Sequence, residues 1–257
     1  MSRPSIFITG AAAGIGQTTA RLFAGKGWFV GLYDVDLAGV EALATELGAN
    51  NAQAGQLDVT DPAGWQIALE SFFTRTGRLD VLLNNAGILA SGPFESIPLE
   101  RQHRIVDINF KGVLNGCHAG LPFLRRTPGS RVINLASASA IYGQPSLATY
   151  SATKFAVRGL TEALDLEWQD YGVRVMDVLP LFVQTGMVKD MNAKSISTLG
   201  VNLTPTDVAA TIFEAASYTG RKPHVHWMVG AQTKLFYTLT GLSPDWVNRF
   251  IARRISH

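Results

Sequence analysis

The sequence predicts a single α/β domain, residues 1-257, built as a doubly wound parallel sheet of seven strands flanked by helices. Three observations predict it. Short apolar runs alternate with stretches of helical periodicity over most of the chain. A glycine-rich loop joins the first run to the first helix, and polar residues capable of chemistry stand at the ends of later runs, where such sheets meet their ligands.

Composition sets the outer bounds. A chain of 257 residues, 47% hydrophobic, can bury one large core, while a net charge of +2 with 16% charged residues offers no broad footprint for nucleic acid. A single cysteine, Cys117, rules out an internal disulfide and fits a reducing, cytoplasmic setting. No uncharged apolar run reaches about eighteen residues, so no transmembrane segment is expected. The N-terminus leads into a strand rather than a signal peptide.

The first strand is expected at Ser5 to Thr9, followed by Gly10-Ala-Ala-Ala-Gly14-Ile15-Gly16 and a helix through Arg21 and Phe23. Strand, glycine loop and helix form the order that binds phosphate: Gly10 can turn sharply, Gly14 can let backbone approach a pyrophosphate, and Gly16 can let helix and strand pack closely. Ile15 lies within the same turn. The alternative is that these glycines only make a tight turn. The next run, Phe29 to Tyr33, ends at Asp34, placed to accept bonds from ribose hydroxyls and to repel a 2′-phosphate. Neither Ala13 nor Val35 supplies a cation to offset that repulsion, so NAD is favoured over NADP. Alternatively, Asp34 caps the following helix.

Ala52 to Leu57 reads as the third strand and leads to Asp58 and Val59, where a carboxylate could meet an adenine amino group. Pro62 to Thr76 reads as a helix, and Leu79 to Leu83 as a strand ending in Asn84-Asn85-Ala86-Gly87. Those two asparagines either bind backbone across the sheet or face a ligand. From Leu99 one long helix is expected to pass Asn109, whose amide lies on an apolar stretch as a satisfied core group or a polar link to the site.

Ser137 to Lys154 is the centre of the reading. Val132, Ile133 and Leu135 predict a strand that Ser137 ends; Leu160, Leu164 and Trp168 predict a helix that Tyr150 opens. Four residues apart on that helix, the Lys154 ammonium stands beside the Tyr150 ring, where a cation favours phenolate over phenol. Ser137 can bond the same substrate oxygen. After the strand Val173 to Leu179 come Pro180 and Leu181 to Thr185, then a weakly patterned stretch, 186-203, expected to form a substrate loop. His224 and His226 begin a last strand and read as ordinary strand histidines; no metal is expected. In the tail, 231-257, Trp246, Val247, Phe250 and Ile251 recur at helical spacing beside Arg249, Arg253 and Arg254. That helix is expected to cover the pocket or a neighbouring subunit, with a membrane surface as the lesser alternative.

The glycine loop, Asp58, Asn84 to Gly87, Asn109, Ser137 and Tyr150-x-x-x-Lys154 together resemble, in order and spacing, the short-chain dehydrogenase/reductase family, over the chain to about Gly230. The resemblance implies a Rossmann fold and hydride transfer between NAD(P) and a carbonyl or alcohol. It implies Tyr150 as general acid or base, Ser137 orienting the substrate oxygen, Lys154 lowering the tyrosine pKa and holding the nicotinamide ribose, and Asn109 supporting a proton-carrying water. Val183 and Thr185 join the cofactor contacts, Thr185 facing the carboxamide. The family usually has Pro-Gly where this chain has Pro180-Leu181.

Leu89, Ala90, Ile141, Tyr142, Leu147, Phe182, Met187 and Met191 are the expected pocket lining, with Ser139, Tyr142, Phe182 and Met187 beside Ser137 as substrate contacts. Their apolar character points to a hydrophobic secondary alcohol or ketone. A homodimer or homotetramer is implied by resemblance alone. The competing readings are an NADPH-dependent carbonyl reductase and a dinucleotide-sensing binding protein without catalysis.

Overall fold

The computed structural model describes residues 3–189, 200–220 and 222–256. Seven parallel strands form one sheet: β1 (Ser5–Thr9), β2 (Phe29–Asp34), β3 (Ala52–Gln56), β4 (Val81–Asn84), β5 (Arg131–Leu135), β6 (Arg174–Leu179) and β7 (His226–Met228). Their order is β3-β2-β1-β4-β5-β6-β7. The winding direction therefore reverses between β1 and β4, and the crevice beyond their C-terminal ends is where such a sheet holds a ligand.

Strand side chains alternate between two cores. Ile6 and Ile8 of β1 face a layer containing Phe23, Val40, Val208 and Ile212. Phe7, between them, faces the opposite layer with Trp65, Phe72 and Val157. Its ring stacks on Tyr33 at 4.0 Å and meets Phe72 edge-on at 5.5 Å. With both faces covered, the central strands read as largely apolar runs, the pattern that made them legible. Burying each such aromatic contributes about 1.5–3 kcal/mol.

The first core is covered by α1 (Gly14–Gly25), α2 (Leu37–Leu47) and later a helix at Pro205–Ser217; the second by α3 (Pro62–Thr76) and the helices that follow β4 and β5. Local chemistry sets the helix ends. Asp61 accepts a bond from Ala63 N with Pro62 in the first turn, and Gly77 ends α3 at φ 67°.

The helix expected from Leu99 runs unbroken to Leu124 but changes its winding on the way. It runs as α4 (Leu99–Val106), a wider π-turn at Asp107–Lys111, then α5 (Gly112–Leu124). The extra residue in that turn aims Asn109 into the interior, where it is fully buried. α6 (Ala148–Glu167) follows β5 as expected.

The weakly patterned stretch 186-203 begins with a short helix, α7 (Gly186–Lys189). Its far end is fastened, since Gln184 N donates to Leu203 O at 2.8 Å and Gln184 Nε2 to Val201 O at 3.0 Å. Met191 lies outside the described residues. α8 (Pro205–Ser217) starts with a reciprocal cap between Thr204 and Asp207. The tail forms two helices, α9 (Gly230–Leu242) and α10 (Asp245–Ser256). Periodicity had pointed only to the second.

Three buried polar side chains tie the sheet to α6. Asn84 Nδ2 donates to Asn134 Oδ1 at 2.9 Å, and Asn134 Nδ2 donates to Thr161 Oγ1 at 2.9 Å. Cys117 lies against both amides, and burial pushes its thiol up to about 12.

Candidate active site

A cavity of about 570 Å³ opens at the C-terminal ends of β1, β4, β5 and β6. At one end, α1 begins at Gly14 with no side-chain cap and no acidic residue in its first turn. Its free N–H groups and helix dipole make a seat for an anion. Gly10 holds φ 67°, and a Cβ there would stand 2.8 Å from Asn85 Nδ2; one on Gly16 would stand 2.1 Å from Gly10 O. At Gly10 and Gly16 the loop is thus packed too closely, against Asn85 and against itself, to carry a side chain. Of the residues expected to hold a cofactor, Gly10, Gly14, Ile15, Asp34, Asp58, Val59, Asn85, Ala86, Gly87, Tyr150, Lys154, Pro180, Val183 and Thr185 all line this cavity, whereas Gly16 packs behind it. The seat, the bare backbone and the carboxylates fit a dinucleotide.

Asp34 ends β2 with Oδ2 accepting from Ala12 N at 3.0 Å and Oδ1 from Asp36 N at 3.1 Å. It does not cap α2; Asp36 does, accepting from Gly39 N at 3.0 Å. Asp58 accepts from Thr60 N and Oγ1 and lies 3.7 Å from Arg104. Burial acts against its charge, but those bonds and the arginine hold its pKa below the usual range.

Both asparagines at the end of β4 bind the fold itself. Asn84 turns inward to Asn134, while Asn85 Nδ2 donates to Thr9 O at 2.8 Å and to Gly10 O at 3.0 Å, clamping the glycine loop. Asn109 is a satisfied core amide: Oδ1 accepts from Ile88 N and Nδ2 donates to Ile88 O, both at 2.8 Å. Its side chain fixes the chain after Gly87.

At the other end, Ser137, Tyr150 and Lys154 meet on one wall. The chain just after β5 delivers Ser137 and the first turn of α6 delivers Tyr150. Lys154 Nζ lies 5.5 Å from the Tyr150 ring centroid and donates to Leu135 O at 2.6 Å. Burial pushes the Tyr150 phenol up to about 12, against the opposing pull of Ser137, and drops the Lys154 ammonium to about 8. The expected lowering of the tyrosine pKa is not what this geometry gives, because burial raises it by more than Ser137 lowers it.

Ser139, Leu89, Leu147, Phe182 and Met187 line the cavity as expected; Tyr142, Ile141 and Ala90 do not. Tyr142 stands behind the wall, its hydroxyl accepting from Gln144 Nε2 at 2.8 Å. Gln144 was missed by sequence reasoning. It is buried, lines the cavity, and accepts from Ser139 Oγ at 2.7 Å, which in turn accepts from Ser137 at 3.2 Å. Between Gly143 and Pro145 it reads only as a turn residue. Leu181, where the family usually has glycine, also lines the cavity.

His226 lies apart from this site. The fold supplies the carboxylates missing beside it in sequence: Asp177 Oδ1 at 2.8 Å from Nδ1 and Glu162 Oε1 at 3.0 Å from Nε2. No cluster of three metal-ligating side chains occurs among the described residues.

Sheet order, reversal point and glycine-lined anion seat define a dinucleotide-binding α/β protein. Residues 4–196 match the short chain dehydrogenase family, and the chain belongs to it. It is 36% identical over 211 residues to a 3-alpha-(or 20-beta)-hydroxysteroid dehydrogenase of Mycobacterium bovis, spanning 82% of this chain and 81% of that one. A cyclohexanol dehydrogenase of Acinetobacter is 32% identical over 71% of this chain and 74% of its own length. Among solved structures, a 3-ketoacyl-(acyl-carrier-protein) reductase of Brucella melitensis complexed with NADH superposes with a TM-score of 0.82 at 30% identity, covering 90% of this chain and 98% of that one. The chain is an NAD(P)-dependent oxidoreductase of CH–OH and C=O groups acting on a small molecule.

Proposed function

We propose that this chain transfers hydride between NAD and a hydrophobic secondary alcohol or ketone, with Ser137, Tyr150 and Lys154 as catalytic residues. The observation that carries the reading is their meeting on one wall of a cavity whose far end is the anion seat and Asp34. Nicotinamide supplies the hydride acceptor or donor when bound. Ser137 donates a hydrogen bond to the substrate oxygen, and Tyr150 takes its proton in oxidation or returns it in reduction. Lys154, four residues on, carries the cation that favours the phenolate once its charge is retained. Asn109 acts through backbone, holding Ile88 and the wall after Gly87 in place.

Asp34 supports NAD over NADP. Its carboxylate, fixed by Ala12 N, faces the cavity with exposed Val35 beside it, so a 2′-phosphate would meet repulsion of about 1 to 4 kcal/mol. Leu89, Leu147, Leu181 and Phe182 support an apolar substrate, as do the hydroxysteroid and cyclohexanol dehydrogenases among the relatives. The test is turnover of hydroxysteroids and cyclic alcohols with NAD and with NADP. Reduction of NAD by an apolar alcohol, abolished in Tyr150→Phe while NADH still binds, is the expected result. Turnover surviving that substitution would end the catalytic reading.

A further inference from the structure

The charge of the chain is unevenly placed. Residues 231–257 carry four cations, Lys234, Arg249, Arg253 and Arg254, against one carboxylate, Asp245, a net +3; with +2 for the whole chain, the first 230 residues carry −1. On α10 the three arginines border an exposed aromatic pair. Trp246 is 73% exposed and Phe250 57% exposed, four residues apart and so neighbours on one face. At about 100° per residue, Arg249 and Arg253 fall on one side of that stripe and Arg254 on the other. All three arginines are exposed, and the Arg254 guanidinium lies 5.4 Å from the Phe250 ring centroid. The opposite side holds the helix to the protein: Asn248 Nδ2 donates to Thr240 O at 3.2 Å and to Ser243 O at 3.3 Å, and Val247 is half-buried.

We propose that α10 docks on an anionic phospholipid surface, inserting Trp246 and Phe250 at headgroup depth while Arg249, Arg253 and Arg254 pair with lipid phosphates. Charge complementarity selects this occupant. A symmetric pairing of two copies through this face would bring arginines against arginines, whereas an anionic leaflet answers every cation on it. An amphipathic indole and an apolar phenyl ring bordered by arginine suit the boundary between headgroups and acyl chains. No helix among the described residues is long and apolar enough to cross a membrane, so the contact is peripheral.

The test floats the full-length chain with vesicles of phosphatidylcholine alone or mixed with phosphatidylglycerol. Recovery with the mixed vesicles only, falling as salt rises, is expected. Trp246 is the one exposed tryptophan among the described residues, Trp28 being half-buried and Trp65, Trp168 and Trp227 buried, so its emission should shift to the blue on binding. Changing Arg249, Arg253 and Arg254 together to Gln should weaken partitioning on the order of a hundredfold. Trp246→Ser with Phe250→Ser should abolish the shift, and NADH affinity should remain unchanged in both variants as the check on folding. Equal recovery on both vesicles, no flotation, or tail variants that alter sedimentation as oligomers without altering flotation would each overturn the proposal.

Discussion

The two ends of the cavity are built differently. The end at Gly10 and Asp34 presents backbone tied down by single side chains: the Asn85 amide clamps the carbonyls of Thr9 and Gly10, and Ala12 N in turn fixes the Asp34 carboxylate. The end at Ser137 and Tyr150 is made of side chains standing on one another, from Ser137 through Ser139 and Gln144 to Tyr142. A seat built from backbone tolerates few changes of its own residues and is indifferent to what lies beyond. A wall built from side chains can be redrawn residue by residue, which suits the end that meets a variable substrate.

If the ends are independent, Tyr150→Phe should cut turnover by roughly 10²- to 10⁴-fold, the range for loss of a positioned acid or base, and leave NADH affinity within about twofold. A parallel fall in NADH binding by fluorescence titration would join the two ends. Gly16→Ala attacks the other end. Its Cβ would press on Gly10 O, costing roughly 1–3 kcal/mol in denaturant unfolding and weakening NADH binding. An unchanged midpoint would mean that the loop yields.

Lys154→Met sharpens the contrast through pH. The ammonium is pushed down to about 8 from 10.5, so its burial costs stability in full below pH 8, and the cost fades as pH rises to about 10.5, where the unfolded chain also loses the proton. Methionine should therefore raise the melting temperature at neutral pH while abolishing turnover. The gain is up to roughly 3 kcal/mol less at least about 1.5 kcal/mol for the lost ammonium bond to Leu135 O, shrinking between pH 8 and 10.5. A gain constant across that range would assign the effect to packing instead. Asp34→Ala should narrow the preference for NADH over NADPH about tenfold in paired titrations; an unmoved ratio removes Asp34 as the discriminator. Smallest is Leu181→Gly, which should change NADH affinity by only a few-fold and alter the order of preferred alcohols in a substrate panel.

The fold was legible because strands covered on both faces must be largely apolar, and the central runs β1, β2, β4, β5 and β6 carry that requirement in local sequence, whereas the edge strands β3 and β7 carry it weakly. Ser137, Tyr150 and Lys154 were legible for a similar reason, since one strand end and one helical turn place them. What escaped depends on partners far along the chain. Nothing near His226 announces Asp177, 49 residues away, and nothing near Asn84 tells that it turns to Asn134 while Asn85 turns to the loop. The π-turn at Asp107–Lys111 has no periodic marker either; it is defined by where Asn109 finds Ile88. Gln144 was hidden by its turn setting, and the tyrosine pKa by a burial that spacing cannot express.

The placement of Cys117 has a practical consequence. A sole thiol sealed between two amides, with its pKa raised to about 12, presents almost no thiolate to alkylating or oxidising reagents at neutral pH. The native chain is thus already a silent background for maleimide chemistry. A cysteine introduced on α10 or beside Met187 would take a fluorophore or spin label alone, with no native residue to remove first.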